Sequence, residues 1–474
     1  MTLLTDENQL ILTGEFKFLQ SDCDCACPQP PFPITHNLNS NSPFIRNINS
    51  YHSLLTDNYH LVYSDDAPIG PSVLNASAWQ RYQSFSQEKL LSEPIDYQLA
   101  EQGLIVPSQV TSTACAHPPQ QLTAWLHVTN ACNLECPYCY VRKSSEHLSE
   151  EIGMIAIKRL FETAQEEQLK TVKLKYAGGE ALLHFSLIQK LHSNAIQLAQ
   201  QMGIELTTVI LSNGTVINSD IVHWLAKNHV KLMLSVDGIG EAHDRQRPTK
   251  KGKPTFAILE RHLLQDLLPN GIKPDISITV TQQNANSVAD VVQWAIQHDL
   301  PFTINFYREN LLSQSKQALM LEEITIISGI KAAYQAIEAN LPTHSVLNSL
   351  LDKVQSHAHT HTCGVGKNYV VITHKGQVAQ CQMHLDETLG SIQQNKIIPL
   401  VAQGKIQNLS VDEKEGCKTC EFRYRCTGGC PVETYRVTGR WDIKSPHCHI
   451  YKALYPEALR LEGLRLLKLH GLHS

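Results

Sequence analysis

Short apolar runs alternate with amphipathic segments through the middle of the chain. Residues 125–129, 172–177, 206–211, 231–236, 276–280 and 302–307 read as strands. Between them, 154–167, 186–201 and 256–268 carry apolar residues at helical spacing. Six βα units in a row predict a parallel sheet, an open and partial barrel over residues 122–312. In such folds the ligand site lies at the C-terminal strand ends, and the polar motifs fall there. Gly178-Gly179-Glu180 follows the second strand, Ser212-Asn213-Gly214-Thr215 the third, and Ser235-Val236-Asp237-Gly238 lies on the fourth. Glycines admit close backbone approach, while Ser, Asn and Asp offer hydrogen bonds.

The flanks read differently. Residues 59–63 and 71–75 predict a hairpin, followed by helices over 76–91 and 97–103 that end in Leu104-Ile105. This places a small α+β module at 51–106, with Pro107, Pro118 and Pro119 marking 107–121 as a linker. Residues 1–50 form an N-terminal extension in which Cys23, Cys25 and Cys27 precede a proline-rich 29–33. Those thiols, with Cys115, suit a metal or redox site or a hydrogen-atom donor; a leader with incidental thiols is the alternative. Bridging helices occupy 313–345, and 346–474 is a cysteine-rich domain with a C-terminal helix. No internal repeat, P-loop, Ser-His-Asp arrangement or heptad run is present.

Composition narrows the class. A net charge of -5 gives no electrostatic case for nucleic acid or an anionic membrane. The first ten residues contain Asp6 and Glu7 and lack the form of a signal peptide. No apolar run approaches the roughly 20 residues that span a bilayer. These features predict a soluble, cytoplasmic protein. Fourteen cysteines then point to metal binding, because cytosolic thiols are kept reduced.

Cys132, Cys136 and Cys139 lie in the stretch Cys132-Asn133-Leu134-Glu135-Cys136-Pro137-Tyr138-Cys139, just after the first predicted strand. Three thiolates on one short loop hold three irons of a four-iron cube and leave the fourth iron open. A structural zinc loop is the alternative, although the loop offers three ligands rather than four. The Cys-x3-Cys-x2-Cys spacing, with Tyr138 before the last cysteine, resembles the signature of the radical SAM enzymes. That resemblance implies a partial (β/α)6 TIM-like barrel, a [4Fe-4S] cluster on these cysteines and S-adenosyl-L-methionine (SAM) on the open iron. It implies reductive cleavage of SAM to a 5′-deoxyadenosyl radical. Gly178 and Gly179, in the motif with Glu180, would present backbone groups to the SAM amino group. Ser212, Asn213, Ser235 and Asp237 would line its methionyl and ribose side. Arg247, in His243-Asp244-Arg245-Gln246-Arg247-Pro248, would pair with the SAM carboxylate; a solvated loop arginine is the alternative.

A second constellation lies toward the C-terminus. Cys363, Gly376 and Cys381 precede Cys417-x2-Cys420-x5-Cys426-x3-Cys430 and then Cys448. This order resembles the SPASM domain, an extension of radical SAM enzymes that modify peptides or proteins. The resemblance implies two auxiliary clusters, one near Cys363, Cys381 and Cys430, the other on Cys417, Cys420, Cys426 and Cys448. Such ligands would staple a loop-rich segment that lacks apolar mass of its own. Paired Cys-x2-Cys knuckles also suit zinc. Residues 364–380 contain no cysteine, so the first auxiliary cluster would take its fourth ligand from solvent, substrate or a histidine. His357, His359 and His361 are the candidate histidines, and otherwise read as a polar loop or edge strand. Anaerobic sulfatase-maturing enzymes carry an aspartate base directly after the second SPASM cysteine, where this chain has Gln382. A glutamine amide accepts no proton at neutral pH, which speaks against formylglycine formation unless Asp386 or His384 substitutes.

The order of elements over 51–106 loosely resembles PqqD-like domains, which add the leader of a ribosomal precursor peptide to a sheet edge. An unrelated small α+β extension is the alternative. Together the resemblances imply a radical SAM/SPASM maturase of a precursor peptide with a leader segment. It would draw electrons from an external donor of the flavodoxin or ferredoxin type and close a C–C or thioether cross-link. Peptide epimerisation and maturation of a whole protein, as by sulfatase-maturing enzymes, are the enzymatic alternatives. A non-catalytic Fe–S scaffold lies outside that class.

Overall fold

The computed structural model describes residues 2–4, 10–14, 42–67, 70–109, 119–313, 316–393 and 396–472. Cys23, Cys25, Cys27 and Cys115 lie outside the described residues.

The N-terminal part contributes β1 (Thr2–Leu4), β2 (Leu10–Thr13), β3 (Phe44–Arg46), β4 (Ser50–Thr56), β5 (Tyr59–Ser64), β6 (Ser72–Asn75) and β7 (Ile105–Pro107). Five of them form an antiparallel sheet ordered β1-β2-β6-β5-β4, while β3 pairs with β7. The expected hairpin is β5 with β6, Leu61 opposite Val73. Strand β2, from the segment read as an extension, lies along β6 with Ile11 opposite Leu74. Strand alternation explains its place. Ile11, Val62 and Leu74 pack with Tyr82, Phe85 and Leu99 in and around the helices Ala76–Ser84 and Pro94–Glu101. Leu12, Leu61 and Val73 point the other way, into the main core. There Gly463 of helix Cys448–Leu469 lets the sheet approach, since a Cβ on it would lie 2.7 Å from Leu61 Cδ1.

Both helices differ from expectation in extent. The first stops at Ser84 because the chain beyond it turns to β3: Phe44 and Lys89 exchange backbone hydrogen bonds of 2.7 and 2.9 Å. The second starts earlier, at Pro94, where a missing N–H costs nothing. The Asp96 carboxylate caps it, accepting the Ser92 and Glu93 N–H groups at 2.8 and 3.0 Å.

The six expected strands are β8 (Gln121–Thr129), β9 (Thr171–Gly178), β10 (Glu205–Ser212), β11 (Lys231–Ser235), β12 (Asp275–Val280) and β13 (Phe302–Phe306). They are parallel and adjacent in that order. Helices Glu150–Glu166, Phe185–Met202 and Val288–Gln297 pack on them. The first of these starts at Ser149, whose Oγ accepts the Ile152 N–H at 3.2 Å, with Glu150 and Glu151 at the positive helix end.

The sheet does not stop at β8. Strand β14 (Tyr369–Ile372) pairs parallel with its far edge, Val371 opposite Trp125, and antiparallel β15 (Gln377–Ala379) and β16 (Thr388–Ser391) extend it further. This corrects the expectation of a C-terminal segment without apolar mass: Val365, Tyr369, Val371, Ala379 and Val432 form a core with Trp125. Helix Glu323–Ala339, in the bridging segment, packs on Val288–Gln297 and on Cys448–Leu469. Among the described residues, no helix is long and apolar enough to cross a membrane.

Candidate active site

Strand β8 delivers the first cysteine loop, and backbone contacts from β9 shape it. Gly179 N–H donates to Thr129 O at 2.7 Å and Glu180 N–H to Ala131 O at 2.8 Å. A Cβ on Gly178 would lie 2.3 Å from Thr129 O, and one on Gly179 2.2 Å from Ala131 O, so this approach requires glycine. The buried Glu180 carboxylate accepts the N–H groups of Leu182 (3.1 Å) and Asn213 (2.7 Å). Asn213 in turn donates from Nδ2 to Asn133 Oδ1 at 2.9 Å, and Nδ2 lies 4.0 Å from Cys132 Sγ. From the opposite side, Glu135 N–H donates to Pro248 O at 2.8 Å. The loop is clamped by three neighbouring segments.

These segments line a cleft of about 790 Å3 that is open to solvent. Cys132, Cys136 and Cys139 line it together with Tyr138, Gly178, Gly179 and Glu180. Ser212, Asn213, Ser235 and Arg247 lie in the same wall. Asp237 stands one layer behind it. Its buried carboxylate accepts the Tyr138 hydroxyl, Arg247 Nε at 2.6 Å and Thr279 N–H at 2.7 Å. It orients Tyr138 and Arg247 rather than facing the cleft.

Burial pushes the Cys136 thiol up to about 12 and raises that of Cys132. Two cations stand beside them. Burial acts to lower the pKa of Arg247, but Asp237 and Tyr138 hold it above the ordinary value. Lys143, unforeseen from the sequence, lines the same cleft. Burial acts to lower it too, and the sulfurs of Cys139, Cys132 and Cys136 outweigh that and hold it raised. Its signal was a lysine four positions beyond the last thiol, since buried thiolates favour a nearby cation.

The donor set fits an iron–sulfur cube. Among the described residues, no three His, Cys, Asp or Glu side chains converge on a single-ion position. Zinc needs its donors at roughly 2.0–2.3 Å from one centre. A cube instead takes one thiolate at each corner, which suits sulfurs that rim a cavity beside Lys143 and Arg247.

The remaining cysteines fall into two sets. Cys363, Cys381 and Cys430 line a cavity of about 890 Å3 that shares Tyr138, Tyr140 and Thr279 with the first cleft. Cys417, Cys420, Cys426 and Cys448 surround a smaller one of about 450 Å3. Burial pushes Cys417 up to about 11 and Cys426 to about 12. Buried Lys414 donates to Thr427 O at 2.7 Å; burial lowers its pKa against the pull of Cys417, Cys426, Cys363 and Cys430. None of His357, His359 and His361 lines the three-cysteine cavity. His359 Nδ1 instead donates to His357 O at 3.0 Å, and His361 Nδ1 meets the Thr360 hydroxyl at 2.8 Å.

Gln382 does line that cavity, its Oε1 accepting the Tyr369 hydroxyl at 2.7 Å. Asp386 and His384 lie on an adjoining groove, Asp386 3.7 Å from Arg142 and His384 2.8 Å from Glu387. Among the described residues, no Asp or Glu lines the three-cysteine cavity.

Residues 126–295 match the family model of the Radical SAM superfamily. The chain is 29% identical over 210 residues to the uncharacterized protein MJ0907 of Methanocaldococcus jannaschii, covering 44% of this chain and 66% of that protein. It thus spans just under two thirds of that relative. It is 24% identical over 338 residues to the sporulation killing factor maturation protein SkfB of Bacillus subtilis, covering 70% of this chain and 76% of SkfB. The structure of native anSMEcpe with bound AdoMet and Cp18Cys peptide shares the fold, with a TM-score of 0.61 at 21% identity. That likeness covers 73% of this chain and 99% of anSMEcpe.

Proposed function

From the premise that the chain carries a radical SAM domain, we propose that it matures a ribosomally made precursor peptide by closing a C–C or thioether cross-link between side chains. The observation that carries this reading is the pair of cavities joined at Tyr138, Tyr140 and Thr279. A substrate carbon held at their junction faces the first cysteine loop on one side and a second set of cysteines on the other.

Cys132, Cys136 and Cys139 would hold a [4Fe-4S] cluster. Gly178, Gly179, Ser212, Asn213, Ser235 and Arg247 would hold SAM, with Asp237 and Glu180 fixing the groups that touch it. Cys363, Cys381 and Cys430 would hold one auxiliary cluster, and Cys417, Cys420, Cys426 and Cys448 another. When bound, these groups would supply a 5′-deoxyadenosyl radical that takes one hydrogen atom and an acceptor for the electron released as the cross-link closes, the second hydrogen leaving as a proton.

The protein's own part is positioning and the exclusion of water. Tyr138, tied to Asp237, is a fixed wall between the two cavities. Arg247, held by the same carboxylate, keeps a cation at the SAM end. Gln382, in place of a carboxylate, favours net oxidation by cross-linking over formylglycine formation. The β1-β2-β6-β5-β4 sheet and its two helices serve in this reading as the PqqD-like module for the peptide leader, and an external flavodoxin or ferredoxin supplies electrons.

The test is 5′-deoxyadenosine formation by anaerobically reconstituted protein given SAM and a strong reductant, beside Cys136→Ala. Formation is expected in the wild type and only background in the variant. With a co-encoded short peptide, the mass should fall by two hydrogens. An unchanged mass with deuterium taken up at an α-carbon would replace cross-linking by epimerisation.

A further inference from the structure

A groove of about 1240 Å3 adjoins the three-cysteine cavity, and Tyr140 and Met383 line both. In its wall lies His127, from the C-terminal end of β8 and only 1% exposed. The ring is fixed from one side: Nε2 lies 2.7 Å from Asn130 Oδ1, while Asn130 Nδ2 donates to Ser144 Oγ at 3.2 Å. The Asn130 oxygen accepts, so Nε2 carries the ring proton and Nδ1 presents a lone pair. That Nδ1 is buried and has no hydrogen-bond partner among the described residues. Burial also lowers the ring's pKa to about 4, which keeps it neutral. A buried acceptor left without a donor is costly, and the residue that carries it lines a groove in which a ligand could bring one.

The groove's lining carries Arg142, Lys375 and Arg436 against Glu146, Asp386 and Glu387. Lys375 pairs with Glu146 at 2.8 Å and Arg142 with Asp386 at 3.7 Å, while Arg436 donates to Glu309 O at 2.6 Å and His384, kept neutral by burial, lies 2.8 Å from Glu387. Such pairing selects against a strongly charged ligand. The lining is apolar at Leu311, Leu312 and Leu385, and Leu311 is 93% exposed. A groove with matched charges and an apolar side, continuous with a reaction cavity, suits a polypeptide segment without net charge.

We propose that this groove binds an extended, uncharged stretch of the substrate polypeptide flanking the modified residue, with one of its N–H or O–H groups donating to His127 Nδ1. The inference rests on the peptide-maturase reading and adds a specificity site to it. His127 is then a binding residue, and Tyr140 and Met383 mark the passage to the reaction cavity.

The test uses the full reconstituted protein with SAM and a synthetic pool of short random-sequence peptides, retained peptides being identified by mass spectrometry. His127→Gln keeps a polar group toward Asn130 and loses the acceptor at Nδ1, whereas His127→Asn keeps an acceptor near Nδ1. Retention of the wild-type set of peptides should fall about tenfold in His127→Gln and stay within about threefold in His127→Asn. Leu311→Asp changes an exposed position without disturbing the core, and should lower retention of apolar peptides. Equal losses in His127→Gln and His127→Asn would reduce the residue to a packing role and overturn the proposal. So would equal retention by all four proteins, or no retention by the wild type. Peptide-independent 5′-deoxyadenosine formation is read in parallel. Its absence in the wild type counts against the radical SAM reading, while normal formation with unchanged peptide retention counts against the groove alone.

Discussion

Residues 132–139 and residues 417–430 both carry cysteines a few positions apart, yet the chain supports them by different means. The first loop hangs from a sheet that is complete without metal: every residue of β8 is buried, and hydrogen bonds from Gly179, Glu180, Asn213 and Glu135 clamp the loop beyond its end. The second set sits among turns, the 3-10 turn Val411–Glu413 and the short helices Arg423–Cys426 and Pro431–Thr438. Its apolar anchors are Phe422, packed with Tyr51 and Tyr455 in the main core, and Val432, which shares a core with Val371 of β14. A sheet therefore holds the first site in readiness, while the second, built on turns, is expected to lean more on whatever its thiolates bind.

Removing metal should separate the two regions most sharply. After iron chelation, amide exchange over 411–448 is expected to accelerate roughly a hundredfold while β8–β13 stay protected, because metal-held loops open when their ligands are freed. Equal loosening of both regions, read by hydrogen–deuterium exchange, would erase the contrast. Gly179→Ala attacks the other side of the comparison. The new Cβ falls 2.2 Å from Ala131 O and should cost roughly 2–3 kcal/mol in the native loop, weakening SAM binding at least tenfold by calorimetry while iron stays bound at 417–448.

Val371→Ala tests the connection between the regions. Val371 is fully buried opposite Trp125, and its truncation should cost roughly 2 kcal/mol in urea denaturation, with the C-terminal cysteines becoming reactive to thiol reagents before the barrel unfolds. The smallest expected effect is on pH. His243 is buried in the barrel and lowered from 6.5 to about 4, chiefly by burial and then by Arg247. The unfolded chain therefore binds more protons between those values, so this histidine's contribution to stability is lost as pH falls from 6.5 toward 4. Asp65, in the N-terminal module, is raised from 3.8 to about 6 by burial and acts in the opposite sense over its own window. His243→Gln should flatten the acid-side decline of the urea midpoint; an unchanged slope would remove His243 from the account.

Much of the barrel was legible because strands buried on both faces read as unbroken apolar runs, and all six appear within a few residues of expectation. The gathering of Gly178, Gly179, Ser212, Asn213 and Ser235 around the first cysteine loop arises from strand ends sharing one edge. Strand β14 was not legible, because four residues carry little signal until they meet β8 some 240 positions earlier. Strand β2 was hidden likewise, its pairing with β6 crossing a long intervening stretch. Asp237 stood out as a motif residue, but its direction, away from the cleft and toward Tyr138 and Arg247, depends on where the segment after β11 turns.

The amino-acid sequence by itself determined the donor chemistry. Cysteines three and four positions apart on one loop are tied by so few backbone bonds that their spacing alone limits what they can hold. Only the tertiary structure decided that Cys363, Cys381 and Cys430 share Tyr138 and Tyr140 with the cleft of the first cysteine loop, and that His127 lines a groove beside them. Those outcomes hang on contacts between segments hundreds of residues apart, where the direction of a side chain is set by its neighbours in space rather than along the chain.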